Sequence, residues 1–193
     1  MQTKLKDEIN KMNKINKTII GLHGLAGSGK DTVADYIVKK YNYKKTSFAT
    51  PLKIIVSLIS GWNYDFVDGK EDRQLRETLE HYKYNMTCRQ MMQYIGTDLF
   101  RKQFNENIWI NITKNYIDNH SENIIVTDCR FENEINLIKE MGGKIIIIKR
   151  NNINSVNKHE SEKNIEIDDA YIIENNGTLE ELYMNIDEIL MKY

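Results

Sequence analysis

A glycine-rich segment near the start of the chain has the residue types that bind polyphosphates. Residues 24–30 follow the G-x-x-x-x-G-K pattern of a P-loop, directly after the β-branched run 18–23 and directly before a helix-like segment. Glycines let backbone N–H groups approach phosphate oxygens, and the first turn of a helix presents a partial positive charge. The spacing therefore predicts a phosphate-binding loop whose Lys30 reaches the β- and γ-phosphates of a nucleoside triphosphate.

Asp31 departs from the usual pattern, which has a serine or threonine after the lysine. A carboxylate is a hard oxygen ligand that suits Mg²⁺, so Asp31 is a candidate magnesium ligand. Its alternative role is that of a first-turn acid that the helix dipole favours, and the two roles are compatible. The predicted contacts with ATP are Gly27, Ser28, Gly29, Lys30, Asp31 and Thr32.

A second anion site is predicted around Lys53. Thr50 and Pro51 follow the second predicted strand as the N-cap and first residue of a helix, which places Lys53 in its first turn. The helix dipole disfavours a cation there by about 0.3 to 1 kcal/mol, so either a bound anion compensates or Lys53 is a solvated surface lysine. Arg76 and Arg89 are further candidates because a guanidinium binds phosphate with two parallel hydrogen bonds, although a single helical arginine is more often solvated.

The third and fourth predicted strands each end on charged residues. Asp128 and Arg130 follow the third strand at the carboxyl edge of the sheet, where open α/β sheets bind ligands. Asp128 could bind near Mg²⁺ or accept a hydrogen bond from the substrate, and Arg130 could neutralise a phosphate. The alternative is that Asp128 and Arg130 form a structural ion pair. Arg150 follows the fourth strand and begins a polar segment, 150–168, that we interpret as a lid excluding water. His159 and Glu162 lie in it without an assigned chemical step.

The elements that must position these residues alternate between strand and helix. This order predicts an α/β fold, a doubly wound five-stranded parallel sheet, in a single domain covering residues 1–193. Residues 61–119 have helical patterns without a convincing strand, which predicts an inserted helical lobe. The predicted strands are 18–23, 44–48, 123–127, 144–149 and 170–174, and the predicted helices are 30–41, 51–60, 72–84, 89–104, 108–119, 132–141 and 178–192.

Composition excludes several classes of function. There are 27 Lys and Arg residues and 28 Asp and Glu residues, so the net charge of −1 gives no overall field that would hold nucleic acid. No window reaches the roughly 18 apolar residues of a membrane helix, and residues 1–17 lack the apolar centre of a signal peptide. Leu5, Ile9, Met12 and Ile15 instead have near-helical spacing. We therefore expect a cytoplasmic protein whose Cys88 and Cys129 are free thiols.

Three segments resemble the viral and phage deoxynucleoside monophosphate kinases. The loop 29–32 with Ala34 and Asp35, the segment 89–98 (RQMMQYIGTD) with a following Trp109, and the D-x-R-x-x-x-E spacing of 128–134 are all similar to that family. The resemblance, in patches over most of residues 21–191, implies the reaction ATP + dNMP → ADP + dNDP with Mg²⁺. It implies a virus or phage protein, in host cytoplasm if viral, and leaves a homodimer open.

The roles implied by the motifs and the resemblance fall into three groups. The catalytic residues are Lys30, Arg130 and Arg150, and the metal ligands are Asp31 and Asp128. The substrate contacts are Leu52, Lys53, Arg76, Arg89, Gly96, Thr97, Trp109, Asp128, Arg130 and Glu134.

Other functions stay open at this point. Phosphomevalonate kinases share the Lys-Asp pair after the loop glycine, so a small phosphorylated metabolite is an alternative acceptor. A base needs a stacking surface, and Trp109 either provides one or packs in the core of the lobe. A P-loop ATPase or switch protein would hydrolyse ATP without an acceptor, and a silent nucleotide-binding protein would leave the second set of cations unexplained.

Overall fold

The computed structural model describes residues 17–151 and 167–192. In that part of the chain the strands are β1 (Ile19–His23), β2 (Lys44–Thr46), β3 (Ile124–Val126), β4 (Lys144–Lys149) and β5 (Tyr171–Glu174). The helices are α1 (Lys30–Tyr41), α2 (Thr50–Ser60), α3 (Tyr64–Asp68), α4 (Arg73–Thr78), α5 (Cys88–Gln93), a π-helix (Tyr94–Phe104), α6 (Ile108–Asp118), α7 (Glu132–Glu140) and α8 (Leu179–Leu190).

The five strands of the described residues form one parallel sheet in the order β2-β3-β1-β4-β5. This confirms the predicted α/β sheet. The central strands β1, β3 and β4 consist largely of isoleucine and valine, and their side chains are buried on both faces, as in parallel sheets covered by helices. β1 carries the predicted phosphate loop at its carboxyl end, and its neighbour β3 ends just before Asp128.

Alternate residues of β1 pack against helices on opposite faces of the sheet. Ile20 and Leu22 are fully buried in a cluster that contains α1 and α8 residues such as Val33 and Ile186. Gly21 faces the other side, where an added Cβ would lie 3.3 Å from Ile138 of α7. Because both faces of the strand are covered, β1 has no polar side chain before His23 at its end.

The chain divides into two compact units, Met1–Ser47 with Thr113–Tyr193 and Phe48–Ile112. The first unit contains the sheet. The second is helical, and it starts at Phe48, earlier than the predicted start of the lobe at residue 61, so it includes α2 and Lys53. Its core is formed by apolar side chains of α2, α3, α5, the π-helix and α6, namely Leu52, Val56, Phe66, Val67, Cys88, Met91, Ile95 and Trp109.

Three predicted features of the second unit are wrong in detail. Thr50 is the first residue of α2 and not its N-cap, because Lys53 N–H donates to the carbonyl of Ala49 at 2.9 Å and starts the helix one residue earlier. The helix predicted at 72–84 ends at Thr78, and Glu80 then forms a β-bridge with Thr87. The helix predicted at 89–104 widens into a π-helix at Tyr94.

No helix in residues 17–151 and 167–192 is long and apolar enough to cross a membrane. The predicted amphipathic helix before Lys17 lies outside the described residues. So does most of the predicted lid, including His159 and Glu162.

Candidate functional site

The loop between β1 and α1 passes tightly over the end of β4. Gly24 has a φ of 148°, and a Cβ added to it would lie 2.4 Å from the backbone oxygen of Ile148. Ser28 N–H donates to the Leu25 carbonyl at 3.2 Å, and Val33 N–H donates to the Gly29 carbonyl at 3.0 Å, which begins α1. The N–H groups of the first turn after Gly29 therefore lack intrahelical acceptors, as at every helix start.

Lys30 folds back over this loop. Its Nζ donates to the carbonyls of Gly24 at 2.7 Å and of Leu25 at 2.8 Å. Ser28 is 1% exposed, and within the described chain its Oγ is buried without a hydrogen-bond partner. A buried hydroxyl without a partner is costly, so an oxygen of a bound phosphate would complete its hydrogen bonding.

His23, the last residue of β1, is held beside the loop. Its Nδ1 lies 2.8 Å from the carbonyl oxygen of Cys129 and donates to it, since a carbonyl only accepts. Burial lowers the pKa of His23, the hydrogen bond to Cys129 opposes this, and the charge of Lys30 lowers the pKa further. His23 is therefore neutral at pH 7 and joins the ends of β1 and β3 without adding charge.

The two carboxylates predicted to hold magnesium lie at the start of α1 and after β3. Asp31 is exposed, and its carboxylate is 3.7 Å from Lys45 of β2, which binds Asp35 more closely at 2.8 Å. Asp128 is half-buried. No group of three His, Cys, Asp or Glu side chains in the described ranges forms a metal site of its own. The donors fit Mg²⁺, which typically uses one or two carboxylates and completes its shell with substrate phosphates and water.

Glu134 supports the turn that carries Arg130. Its Oε2 accepts the backbone N–H of Arg130 at 2.8 Å and that of Phe131 at 3.2 Å, and its side chain is 2% exposed. Arg130 itself is exposed. Because the third residue of α7 caps the turn before it, the spacing D-x-R-x-x-x-E has a structural cause, and a nucleotide contact of Glu134 stays a prediction.

In the second unit, two lysines are paired with the carboxylate of Asp68. Lys53 lies 2.7 Å from Asp68, and both side chains are less than one fifth exposed. Lys70 reaches the same carboxylate at 3.3 Å. Burial raises the pKa of Asp68, but the hydrogen bonds and charges of Lys53 and Lys70 outweigh it and lower the pKa. Asp68 is therefore ionised at neutral pH and holds Lys53 in place.

Two arginines of this unit that are predicted to contact substrate, Arg76 and Arg89, lie near the Cys88 thiol at the start of α5. Arg89 donates to both oxygens of Glu77 at 3.1 and 3.3 Å, and Arg76 donates to the carbonyl of Val67 at 3.1 Å. Burial raises the pKa of the Cys88 thiol to about 11, and the charges of Arg76, Glu77 and Lys53 all act on that thiol. The fold thus gathers Lys53, Arg76 and Arg89 around one helix start, with two carboxylates between them.

Three predicted substrate contacts form the packing of this unit. Trp109 is 3% exposed, and its Nε1 donates to the carbonyl of Gly96 at 3.0 Å. A Cβ on Gly96 would lie 2.5 Å from Leu52 Cδ2, so the absence of a side chain at Gly96 makes room for Leu52. Trp109 is a core residue, and substrate contacts of Leu52, Gly96, Trp109 and the half-buried Thr97 stay predictions.

Comparison with known proteins decides the family. The sequence model of the family described as deoxynucleotide monophosphate kinase matches residues 59–186. A putative deoxynucleotide monophosphate kinase of Acanthamoeba polyphaga mimivirus is 34% identical over 183 residues, which are 87% of this chain and 93% of that protein. The chain belongs to the deoxynucleotide monophosphate kinase family.

Phage members of the family are also similar. The deoxynucleotide monophosphate kinase of Escherichia phage RB69 is 31% identical over 72% of this chain and 58% of its own length. That of Enterobacteria phage T4 is 25% identical over 89% of this chain and 98% of its own length. The NB-ARC domain model matches residues 1–67, which contain the P-loop. The resemblance seen in the sequence is thereby confirmed.

Sequence reasoning missed several groups that support the site in this family member. His23 and Asn175 hold the phosphate loop, and Asp68 and Glu77 hold the cations of the second unit. Asn175 follows β5 in an Asn-Asn-Gly sequence, and this pattern predicts a turn but no contact with the phosphate loop. Asp68 and Glu77 are 15 and 12 residues from their partners, and no local pattern signals such pairs.

Proposed function

We propose that this chain transfers the γ-phosphoryl group of ATP to a deoxynucleoside 5′-monophosphate and forms the diphosphate. The observation that carries the proposal is Lys30, held over a formed P-loop in a chain of the deoxynucleotide monophosphate kinase family. The class of acceptor is inferred from relatives that are deoxynucleotide monophosphate kinases. The ATP site is inferred from the geometry of the P-loop.

The phosphate loop binds the triphosphate of ATP. The glycines and the first turn of α1 present N–H groups to the phosphates. The buried Ser28 hydroxyl donates a hydrogen bond to one of the phosphate oxygens. Lys30 exchanges its two carbonyl partners for the β- and γ-phosphates, which keeps its ammonium paired in both states. The predicted contacts Gly27, Gly29, Asp31 and Thr32 complete this site. Asp31 and Asp128 would hold Mg²⁺, which when bound would neutralise charge on the triphosphate.

The second unit binds the acceptor phosphate. Lys53, Arg76 and Arg89 offer three cations, and the carboxylates of Asp68 and Glu77 keep two of them in fixed positions before substrate arrives. Fixed donors bind an anion with less loss of side-chain entropy than mobile ones. The phosphate of the monophosphate would take up the donors of Lys53 and Arg89 that remain beside these ion pairs.

Transfer needs positioning and charge stabilisation more than proton transfer. An oxygen of the acceptor phosphate is already a nucleophile, so no dedicated base is required. Lys30, Arg130 and Arg150 stabilise the charge of the transferring phosphoryl group, with Glu134 holding the backbone of Arg130. In the same proposal, the predicted lobe, residues 61–119, acts together with Lys53 of α2 in binding the acceptor, and residues 150–168 act as a lid. We further propose that the enzyme acts in the cytoplasm, that of the host if the protein is viral, and the proposal leaves a homodimer open.

A panel of acceptors tests the function. The purified chain is incubated with ATP and Mg²⁺ together with each dNMP, each NMP or mevalonate phosphate, and ADP and the phosphorylated product are both quantified. We expect product with at least one dNMP and little ADP without an acceptor. Product with mevalonate phosphate alone would point to a small-metabolite kinase, and sustained ADP formation without acceptor would point to an ATPase or switch protein.

Lys53 provides a test of the acceptor site. We expect Lys53→Ala to raise the KM for the dNMP by about 10- to 100-fold, the worth of a hydrogen bond to a charged group, with the KM for ATP nearly unchanged. Lys70→Ala is the matched control, because Lys70 also contacts Asp68 but is far more exposed. Initial rates at varied concentrations of each substrate measure both constants. Equal losses for both substrates would show that Lys53 does not serve the acceptor.

A further inference from the structure

Asn175 connects the phosphate loop to the sheet. It directly follows β5, and its backbone N–H donates to the carbonyl of Lys149 at 2.7 Å, which continues the pairing of β4 with β5 by one residue. Its side-chain Nδ2 donates to the carbonyl of Ser28 at 2.8 Å across 147 residues of sequence. Only the NH₂ side of the amide can bind a carbonyl oxygen, so the orientation of this side chain follows from its partner.

The glycine at position 29 makes room for this contact. Gly29 has a φ of 103°, and an added Cβ would lie 2.4 Å from Asn175 Nδ2. Gly29 is thus required by its backbone conformation and also by the side chain packed against it. The glycine before Lys30 in the P-loop pattern therefore has a partner in this chain, at the far end of the sequence.

The contact fixes one peptide plane of the loop. In a trans peptide the C=O and the following N–H point in opposite directions, and none of the described peptide bonds is cis. Because the Ser28 carbonyl is directed at Asn175, the N–H of Gly29 is directed away from it. Rotation of this peptide would present a carbonyl oxygen where the loop needs a donor, and a carbonyl repels phosphate.

The geometry assigns Asn175 as a positioning residue for the phosphate loop: its amide holds the Ser28–Gly29 peptide in the orientation that receives the phosphates of ATP. This inference deepens the proposed function and rests on its ATP site. Asn175 acts through the loop backbone and touches no reacting atom. Replacement of Asn175 should weaken the binding of ATP and leave the acceptor site in the second unit unaffected.

The test measures ATP binding directly and turnover separately. Isothermal titration calorimetry gives the Kd of ATP with Mg²⁺ for the full chain and for Asn175→Ala and Asn175→Asp. We expect Asn175→Ala to raise this Kd by about 3- to 10-fold, the range for one neutral hydrogen bond. Asn175→Asp should raise it by more than about 10-fold, because a carboxylate would face the Ser28 carbonyl and repel phosphate. The KM for ATP should rise in parallel and the KM for dNMP should stay constant.

Asn119→Asp is the matched control. Asn119 also donates its Nδ2 to a backbone carbonyl, that of Asn115 at 2.7 Å, but it lies at the exposed end of α6. We expect this variant to bind ATP as the wild type does. A wild-type Kd for Asn175→Asp, or equal rises in the KM of both substrates, would overturn the assignment. If no dNMP is phosphorylated, the proposed function fails, whereas the Kd comparison still decides the role of Asn175.

Discussion

Lys30→Met should lower kcat for phosphoryl transfer by about 100- to 1,000-fold or more with every acceptor, because it removes a cation that, in the proposed mechanism, stabilises the transferring group. Loss of a single group that stabilises transition-state charge has effects of this size. The Nζ of Lys30 donates to the carbonyls of Gly24 and Leu25, so its ammonium is located at the loop. Steady-state rates of ADP and dNDP formation measure the loss.

Lys39→Met is the control for this variant. Lys39 lies in the last turn of the same helix, α1, and is exposed, so it tests the effect of replacing any helical lysine. We expect wild-type turnover from Lys39→Met and similar thermal unfolding from both variants. Near-normal transfer by Lys30→Met would contradict the assignment of chemistry to the P-loop.

Gly24→Ala should abolish measurable ATP binding and also lower the melting temperature. A non-glycine residue at a φ of 148° is strained by about 1 to 3 kcal/mol, and the new Cβ would lie 2.4 Å from the carbonyl oxygen of Ile148. The Ile148 oxygen belongs to the backbone of β4 and cannot move aside easily, so the loop must shift. Calorimetric titration with ATP and thermal unfolding measure the two effects.

Gly142→Ala separates strain from steric conflict. Gly142 has a φ of 77° in the turn between α7 and β4, and nothing lies within 4 Å of an added Cβ. We expect its melting temperature to fall by roughly 2 to 4 °C, the equivalent of about 1 kcal/mol, with unchanged ATP affinity. If Gly24→Ala behaved like Gly142→Ala, the close approach of the loop to β4 would have no role in ATP binding.

Local patterns in the sequence were sufficient for the elements that depend on neighbouring residues. The bounds of α1 and β4 agree with the predicted segments 30–41 and 144–149, since α1 follows directly on the glycine-rich loop and β4 is a continuous apolar run bounded by lysines. Thr178 and Glu181 form a capping box at the start of α8, close to the predicted helix start at 178, with Thr178 N–H donating to Glu181 at 2.8 Å. Such features are determined within four residues of sequence, so a single chain reveals them.

Prediction was weaker where tertiary contacts override propensity. The continuous helix predicted at 89–104 becomes a π-helix whose Gly96 carbonyl accepts from Trp109 and whose backbone admits Leu52. The sequence is compatible with either base stacking or core packing for Trp109, and its burial places it in the core. Neither outcome follows from helix propensity, because both depend on residues that become neighbours only after folding.

The phosphate loop, the parallel sheet, the family resemblance and the residue types of the two proposed anion sites can all be inferred from the amino-acid sequence. The groups that hold those residues in place are visible only in the folded chain. Lys53 is paired with Asp68, Arg89 with Glu77, and the Ser28 carbonyl with Asn175. The difference lies in the separation of the interacting residues along the sequence. A loop or a helix cap needs only adjacent residues, whereas each supporting hydrogen bond joins residues that strand order and helix packing bring together.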